Sequence, residues 1–494
     1  MNCRAVKVAQ FYGIDINDFA IKVLKICFLL AELQLSGEIL DISALDKNII
    51  TANALRMDWN TLLPSQKCSY IISNPPFCAP KKRSKDQRTD VLNIFKNIKN
   101  GALIDYVGCW HKKASEYMKN TLIKTALVST NSICQGEQVA ILWKDLFKSG
   151  IHINFAYKTF KWNSESPVKA HVHCIIVGFS YINESDKIIF NGSEILKAKN
   201  INAYLKDAPN IIVERRKTPI CADVPKMTIG CQAVDGGNFV LTPEEKVLAI
   251  KSEPWVKEYV RPYMGAKELL RGTKRYCLWL KNVSLKEISK SKLLSKRVLA
   301  VKKFRENSKT IKKNKKSPTL FFQTPQQPNV NYLVIPCLGS NNNLYIPTFF
   351  LDDDTIVSES VRLIQKPSKY HFGVISSNTH ARWMRAVCGC LGKSFRYSEG
   401  IVYNTFPWPN PTEKQKEDIE KTANMILDAR KLYQDCTLAQ LYDPLTMPPE
   451  LRKAHKLNDE AVLKAYGFNK NIKEEECVTK LMEMYEELAE KESL

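Results

Sequence analysis

Asn74-Pro75-Pro76-Phe77 is the segment of this chain best suited to chemistry. Two consecutive prolines end hydrogen-bonded structure and fix the backbone. Their carbonyls are then free to face a ligand, and Asn74 adds a side-chain acceptor. An exocyclic amine carries two N–H groups, so an Asn oxygen and a Pro carbonyl can hold it together. Both acceptors push electron density onto that nitrogen and make it a better nucleophile. Phe77 offers a face on which a purine can stack, an arrangement suited to a base extruded from a duplex. An ordinary strand-ending turn is the competing reading. The preceding CSYIIS reads as a strand of an α/β fold, and such folds place their sites at strand ends.

Two acidic residues precede this segment. Asp15 follows the first strand in GIDI, where a carboxylate can take ribose hydroxyls. Asp58 follows NALRM, where a carboxylate can accept from an adenine amine. Each alone also fits a cap or a solvated residue. Both at strand ends, in this order ahead of Asn74, favour a nucleoside cofactor.

The positioning elements read as alternating strands and helices over residues 1–180. VAQFYGIDI, NIITANALRM, CSYIISNPPF and KTALVSTNSI read as strands. DFAIKVLKICFLLAELQLS has helical periodicity with Asp18 placed to cap it, and LIDYVGCWHKKASEYMK reads as an amphipathic helix. INFAYKTFKW and AHVHCIIVGFS read as an antiparallel pair. This alternation predicts a doubly wound α/β sheet. Over 181–410 short mixed strands and turns dominate. Basic clusters stand at Arg215, Arg216 and Lys217 and at Lys309, Lys312, Lys313, Lys315 and Lys316. They are candidates for phosphate contact, with solvated loops as the alternative. Residues 411–494 read as Glu/Lys-rich helices interrupted at YDPLTMPPE. The expected domains are therefore 1–200, 201–410 and 411–494.

The charge is uneven in the same way. The 494 residues carry a formal net charge of +22, yet 411–494 hold 13 Lys and Arg against 18 Asp and Glu. The basic excess lies in the first 410 residues and points to a polyanion such as nucleic acid. A 44% hydrophobic content excludes a mostly disordered chain. No run of about 18 uncharged apolar residues is present, and the N-terminal stretch lacks a signal-peptide block. A cytoplasmic location without a membrane is expected. The 15 cysteines are scattered, with only Cys388 and Cys390 close, so a zinc ribbon is not expected. Asp235-Gly236-Gly237-Asn238-Phe239 superficially resembles a Gly-rich cofactor loop but follows the catalytic segment.

GIDI, NALRMDW and NPPF resemble motifs II, III and IV of N6-adenine DNA methyltransferases. Longer segments resemble the MmeI-like class of single-chain restriction–modification enzymes. QFYGIDINDFA, DYVGCWHKKASEYM, VSTNSICQGEQVAILW and KAHVHCIIVGFS are similar to its methyltransferase domain. RRKTPICADVP, DGGNF, RPYMGAKELLRGTKRYCLWL, HARWMRAVCGCLGKSFRYS and YNTFPWP are similar to its target-recognition domain, and YDPLTMPPELRKAH to its C-terminal helical segment. The resemblance implies a Rossmann-like sheet followed by an α+β DNA-reading domain and helices. It implies S-adenosylmethionine as cofactor, double-stranded DNA as partner and no metal. Asn74, Pro75, Pro76 and Phe77 would hold the flipped adenine. Asp15, with Ile16, would bind the cofactor ribose, and Asp58 its adenine. Phe160 and Trp162 are candidates for the other face of the base, with core packing the alternative for each.

The family pattern places a motif I strand and Gly-containing loop, of the type DPACGSGNF, before motif II. Nothing before Asp15 resembles it. In the family's fold that strand is central, so the sheet is expected to be incomplete, with exposed apolar edges. The expectation is the C-terminal part of an adenine methyltransferase, active when a separate polypeptide supplies the front half. A non-catalytic DNA-binding specificity module or remnant is the alternative. An RNA or protein methyltransferase is a third reading, which the recognition-domain segments oppose.

Overall fold

The computed structural model describes residues 6–37, 43–162, 172–307, 317–321, 331–340, 342–392 and 394–493. It divides into two compact units, Met1–Ile212 and Val213–Leu494. Each is built on its own core.

The first unit begins with a small layer of two strands and a helix. Strand β1 (Gly13–Asp15) runs parallel to β2 (Ile49–Thr51), with helix α1 (Asp18–Ser36) and the short α2 (Ser43–Asp46) between them. Both strands are shorter than the sequence suggests. Val8–Gln10 forms a 3-10 turn instead of extending β1, and β2 stops at Thr51. Val8, Ile21, Leu45 and Ile49 form the core of this layer. Asn17, and not Asp18, caps α1: its side chain accepts from the Phe19 and Ala20 N–H groups. Asp18 is the first helical residue and pairs with Lys22 one turn on.

The rest of the unit is a six-stranded sheet in the order β3-β4-β6-β5-β7-β8. Its strands are β3 (Tyr70–Ser73), β4 (Lys124–Thr130), β5 (His152–Trp162), β6 (Val172–Ser180), β7 (Lys187–Asn191) and β8 (Glu194–Ala198). Strands β3, β4, β5 and β7 point the same way, while β6 and β8 run against them. The antiparallel β5–β6 pair matches the sequence reading. Helices α3 (Lys85–Ile94), α4 (Gly108–Tyr117) and α5 (Glu137–Lys148) complete the unit.

Strand β4 alternates strictly, with Thr125, Leu127 and Ser129 buried on one face. That face is covered by α4 and α5. The His111 ring stacks on Phe179 at 5.4 Å, and Trp143 meets Phe179 edge-on at 6.4 Å. Burial holds His111 neutral by lowering its pKa to about 4. Among the described residues the doubly wound expectation is met on this face alone. The opposite face, running from Tyr70 and Ile72 through Ala126 and Val128, is only partly covered.

The second unit joins small sheets to helices. One four-stranded sheet comprises Val240–Leu241, Tyr276–Leu278, Val260–Met264 and Ile356–Val357. Another comprises Phe349–Leu351, Tyr332–Pro336, Val361–Gln365 and Met227–Ile229. Phe239, Tyr263 and Trp279 pack around Phe321 in the first core. The unit also contains well-formed helices at Pro243–Ser252, Lys292–Glu306 and Asn378–Val387, beyond the short strands and turns expected there. The C-terminal helices Glu413–Lys431, Pro449–Tyr466 and Glu474–Ser493 are interrupted where YDPLTMPPE predicts. Buried Asn458 ties them inward, donating to the Gly373 carbonyl at 2.8 Å and accepting from Thr422 at 3.1 Å. No helix among the described residues is long and apolar enough to cross a membrane.

Candidate active site

Asn74-Pro75-Pro76-Phe77 leaves the C-terminal end of β3. Pro75 is buried and anchors the segment, Phe77 is half-buried, and Asn74 and Pro76 are exposed. The Asn74 side chain has no hydrogen-bond partner among the described residues, so both its polar ends are available. The chain then turns into Pro80–Lys82 and α3, whose start is fixed by a reciprocal Ser84–Gln87 cap.

The turn is held from beneath by Asp105. Its Oδ1 accepts from the Cys78 N–H at 3.3 Å. Its Oδ2 accepts from Thr130 Oγ1 at 2.9 Å and Ser132 Oγ at 3.2 Å. The Tyr106 N–H donates to the Cys78 carbonyl at 3.2 Å. The end of β3 is thereby fastened to the end of β4. Arg83, close by, is buried, with Nη1 donating to the Ala102 carbonyl at 3.0 Å. Burial lowers its pKa.

Asp58 stands at the start of the Trp59–Thr61 turn. Its Oδ1 accepts from the Asn60 N–H at 3.0 Å and from Asn60 Nδ2 at 3.1 Å. Those two donors hold its carboxyl below the ordinary pKa. The segment is tied to α3 through buried Asp90, which accepts from Arg56 Nε at 2.7 Å and the Tyr106 hydroxyl at 2.8 Å. Burial and the Asp90 contact together raise the Tyr106 pKa. Asp15 ends β1 and accepts from the Asn17 N–H at 2.7 Å. Ile16 beside it is exposed. For both Asp15 and Asp58, Oδ2 has no partner among the described residues.

Phe160 and Trp162 lie at the C-terminal end of β5. Phe160 is aligned with Cys174, and Cys174 with Thr130, across the sheet. A bulge between Tyr157 and Phe160 re-aims this end of the strand. The structure therefore brings Asn74, Thr130 and Phe160 to one end of one sheet, where β3, β4 and β5 terminate. Phe160 packs edge-on against Tyr157 at 5.6 Å, so it also has a packing role.

In the second unit, Arg215 and Lys217 are exposed, while Arg216 is paired with Glu492 of the last helix. The charge of Arg216 is thus engaged within the fold. Lys309, Lys312, Lys313, Lys315 and Lys316 fall outside the described residues. Asp235-Gly236-Gly237-Asn238-Phe239 is a turn with positive φ at both glycines, and its Asp235 carboxylate is occupied by the Phe239 and Val240 N–H groups.

Three family descriptions match the chain in succession: MmeI, DNA-methyltransferase domain, over residues 2–191; MmeI, target recognition domain, over 207–410; and MmeI, C-terminal domain, over 411–492. The solved structure of the type IIL restriction–modification enzyme MmeI in complex with DNA superposes on 98% of the chain with a TM-score of 0.91 at 39% identity. The chain belongs to the MmeI family. It spans 67% of the length of that MmeI chain. "DNA methyltransferase A" of Bacillus subtilis (strain 168) is 38% identical over 502 residues, covering 99% of this chain and 57% of the relative. The chain thus spans little more than half the length of that relative.

Within this MmeI-family site, sequence reasoning missed Asp105 and Asp90. The available signal was an acid set among apolar neighbours, Ile104-Asp105-Tyr106-Val107. A carboxylate there is buried with its chain neighbours and must be paired.

Proposed function

We propose that this chain is the catalytic and target-reading part of a restriction–modification enzyme that methylates adenine N6 in duplex DNA. The observation that carries this reading is the Asn74 side chain, without a partner among the described residues, at the proline-fixed end of β3 and at the end of the sheet that also carries Phe160. The MmeI-family match along nearly the whole chain supports it. Asn74 Oδ1 and the Pro75 carbonyl accept the two N–H groups of a flipped adenine, and Phe77 and Phe160 or Trp162 take its faces. Arg215 and Lys217 supply phosphate contacts. A cytoplasmic location follows from a DNA substrate in a bacterial-type system.

Asp15 and Asp58 fit S-adenosylmethionine. Each presents one unpartnered carboxylate oxygen, the acceptor that ribose hydroxyls and an adenine amine require. S-adenosylmethionine, when bound, supplies a methyl group on a sulfonium, already an excellent leaving group. The work of this chain is then to hold the amine in line, to polarise it through Asn74, and to keep the base out of the stack. Nothing before Asp15 resembles the Gly loop that wraps the methionine part, and Asp235-Gly236-Gly237-Asn238-Phe239, whose carboxylate is already engaged, resembles it only superficially. We therefore assign that contact to a segment other than residues 1–494, carried on the same chain or on another.

The test is transfer of tritiated methyl from S-adenosylmethionine, by the chain alone and with the region of the Bacillus subtilis relative that it does not span. Duplex DNA, RNA and protein are compared as acceptors. Label at adenine N6 of duplex DNA that Asn74→Ala abolishes is the expected result. Label in RNA or protein refutes the substrate, and DNA binding without any transfer favours a specificity module. Micromolar binding of S-adenosylmethionine by the chain alone, measured by calorimetry, refutes the need for a further segment.

A further inference from the structure

The first turn of the helix Asn378–Val387 opens into a pocket of about 310 Å³ within the second unit. Helix starts carry N–H groups that the helix itself cannot pair. Two of them are met locally. The Ser377 hydroxyl accepts from the His380 N–H, and Asp459 Oδ1 accepts from the Asn378 N–H at 2.7 Å. The Thr379 N–H between them has no partner among the described residues. Nor has the Thr379 hydroxyl, although the residue is only 1% exposed. A helical threonine ordinarily returns its hydroxyl to a carbonyl of the preceding turn, as Thr422 does to Ile419 at 3.0 Å. Thr379 instead lines the pocket. Buried donors cost stability unless something accepts from them.

Arg382 lies three residues on and so shares that face of the helix. It donates through Nη1 to the Ile472 carbonyl at 3.3 Å, and its Nε is buried without a partner among the described residues. Lys456 of the helix Pro449–Tyr466 and Lys470 of the loop after it line the same pocket and are exposed. None of these three cations is in an ion pair among the described residues. Two acids also line the pocket. Asp459 has both oxygens engaged, Oδ1 by the Asn378 N–H and Oδ2 by the Tyr345 hydroxyl at 2.9 Å. Glu460 is exposed. Cations therefore outnumber acids, and the positive end of the helix dipole adds to them.

We infer that this pocket binds a small phosphomonoester with a polar, sugar-like body. Its phosphoryl oxygens accept from the Thr379 N–H and hydroxyl and from the Arg382 guanidinium, whose planar fork suits a phosphate. Lys456 and Lys470 approach it from the exposed side. At about 310 Å³ the pocket is at the lower end of the range for small-molecule sites, about 300–1,000 Å³. Among the described lining residues Leu463 alone is large and apolar, which favours a hydroxylated body over an aromatic ring. A phosphate of the DNA backbone is the other source of the same chemistry. It stands on a convex rod and is a diester tied on two sides, whereas Thr379 is almost wholly withdrawn from the surface.

The experiment is calorimetric titration of the full chain, without S-adenosylmethionine, with ribose 5-phosphate, inorganic phosphate, ribose and a short DNA duplex in turn. Saturable 1:1 binding of ribose 5-phosphate is expected, with weaker binding of inorganic phosphate and none of ribose. The Thr379 amide should exchange more slowly in the complex. Lys470→Ala, at an exposed residue, leaves the chain folded by circular dichroism and weakens ribose 5-phosphate at least fivefold. Arg382→Gln weakens it at least tenfold, and Thr379→Val weakens it where Thr379→Ser does not. Lys414→Ala, at an exposed lysine outside the pocket, leaves the affinity unchanged. Absence of binding at millimolar ribose 5-phosphate overturns the inference, as does binding indifferent to both Lys470→Ala and Arg382→Gln. Inorganic phosphate bound as tightly as ribose 5-phosphate removes the organic body and overturns it too. So does a duplex that displaces ribose 5-phosphate and whose own affinity falls in Thr379→Val, which assigns the pocket to the DNA backbone. No methyl transfer enters these readings, so they stand or fall apart from the proposed function.

Discussion

Asp105 should govern the geometry of the Asn74 turn, and its replacement separates a specific mechanism from general loss of packing. Its carboxylate is buried and serves three donors: the Cys78 N–H, Thr130 Oγ1 and Ser132 Oγ. Asp105→Ala removes all three hydrogen bonds. The two hydroxyls lie 2.7 Å apart and can satisfy each other. The Cys78 N–H has no such recourse, so the unrecovered loss is one charge-assisted hydrogen bond and an orphaned amide, about 1.5–3 kcal/mol. At about 1.4 kcal/mol per tenfold, the Cys78 amide should exchange with solvent roughly 10–100 times faster. Asp105→Asn keeps an oxygen for Cys78 and turns its NH2 toward hydroxyls that can accept, so its cost should stay under about 1 kcal/mol. Hydrogen exchange read at residues 74–80, together with urea unfolding, measures both. Unchanged Cys78 exchange in Asp105→Ala, or equal losses in the two variants, refutes the reasoning. Methyl transfer by the completed enzyme should follow the same order, because Asn74 lies four residues before Cys78.

Asp58→Ala should lower the urea midpoint slightly by removing the cap of the Trp59–Thr61 turn, whereas Asp58→Asn keeps the cap. Both should weaken binding of S-adenosylmethionine by the completed enzyme, measured by calorimetry; a loss confined to the alanine variant would assign Asp58 to structure alone. Arg215→Ala and Lys217→Ala should each lower DNA affinity and reduce the slope of log affinity against log salt by about 1 for each phosphate no longer neutralised. Arg216→Ala should instead lower the urea midpoint, since its partner is Glu492. Asp459 provides a pH test. Burial raises its pKa to about 6, while the Asn378 N–H and the Tyr345 hydroxyl oppose the shift. An acid whose folded pKa is raised contributes stability that is full below the unfolded value and lost as pH rises toward 6. Asp459→Asn should therefore gain on the native chain between pH 4 and 7, by up to about 3 kcal/mol for a shift near two units. Parallel stability curves over that range would contradict it.

The sheet and the Asn74 turn were legible in the sequence because their signals are local. Alternation in KTALVST sets one face of β4 inward, and Pro75-Pro76 ends β3 where it must end. The start of α1 shows the limit of such signals. Asn17 and Asp18 are both good caps, and spacing alone does not choose between them. The choice was made by Lys22 and Thr51, which engage Asp18 from inside the helix and from β2. The hidden parts of the site depend on distant partners. Asp105 meets Cys78 across 27 residues, and Asp90 meets Arg56 across 34. No periodicity encodes either pairing. The shortness of β1 and β2 was also hidden, because apolar residues precede β1 (Phe11, Tyr12) and follow β2 (Ala52, Ala54, Leu55).

The local contacts of Asp15 and Asp58 leave room for the proposed ligand role. In each case one oxygen is engaged locally, by Asn17 N–H or by Asn60, and the other remains free. The engaged oxygen fixes the rotamer, so the free one is presented in a set direction without a further loss of side-chain entropy on binding. Asn74 follows the opposite strategy. Its side chain makes no local bond, and the rigidity comes from the backbone: Pro75 buried behind it, Pro76 after it, and Cys78 clamped by Asp105. A purely structural turn would direct the Asn oxygen to an N–H two residues on, as Asp15 and Asp58 do. At Asn74 that donor does not exist, because position 76 is proline. The second proline therefore stiffens the turn and also denies Asn74 its commonest local partner, which leaves its acceptor without a partner among the described residues, as the proposed contact with an amine requires. It follows that Pro76→Ala should restore the local N–H, let Asn74 close on it, and lower methyl transfer by the completed enzyme while the fold stays intact. Activity unchanged in Pro76→Ala, with the melting temperature also unchanged, would show that the missing N–H has no part in keeping Asn74 free.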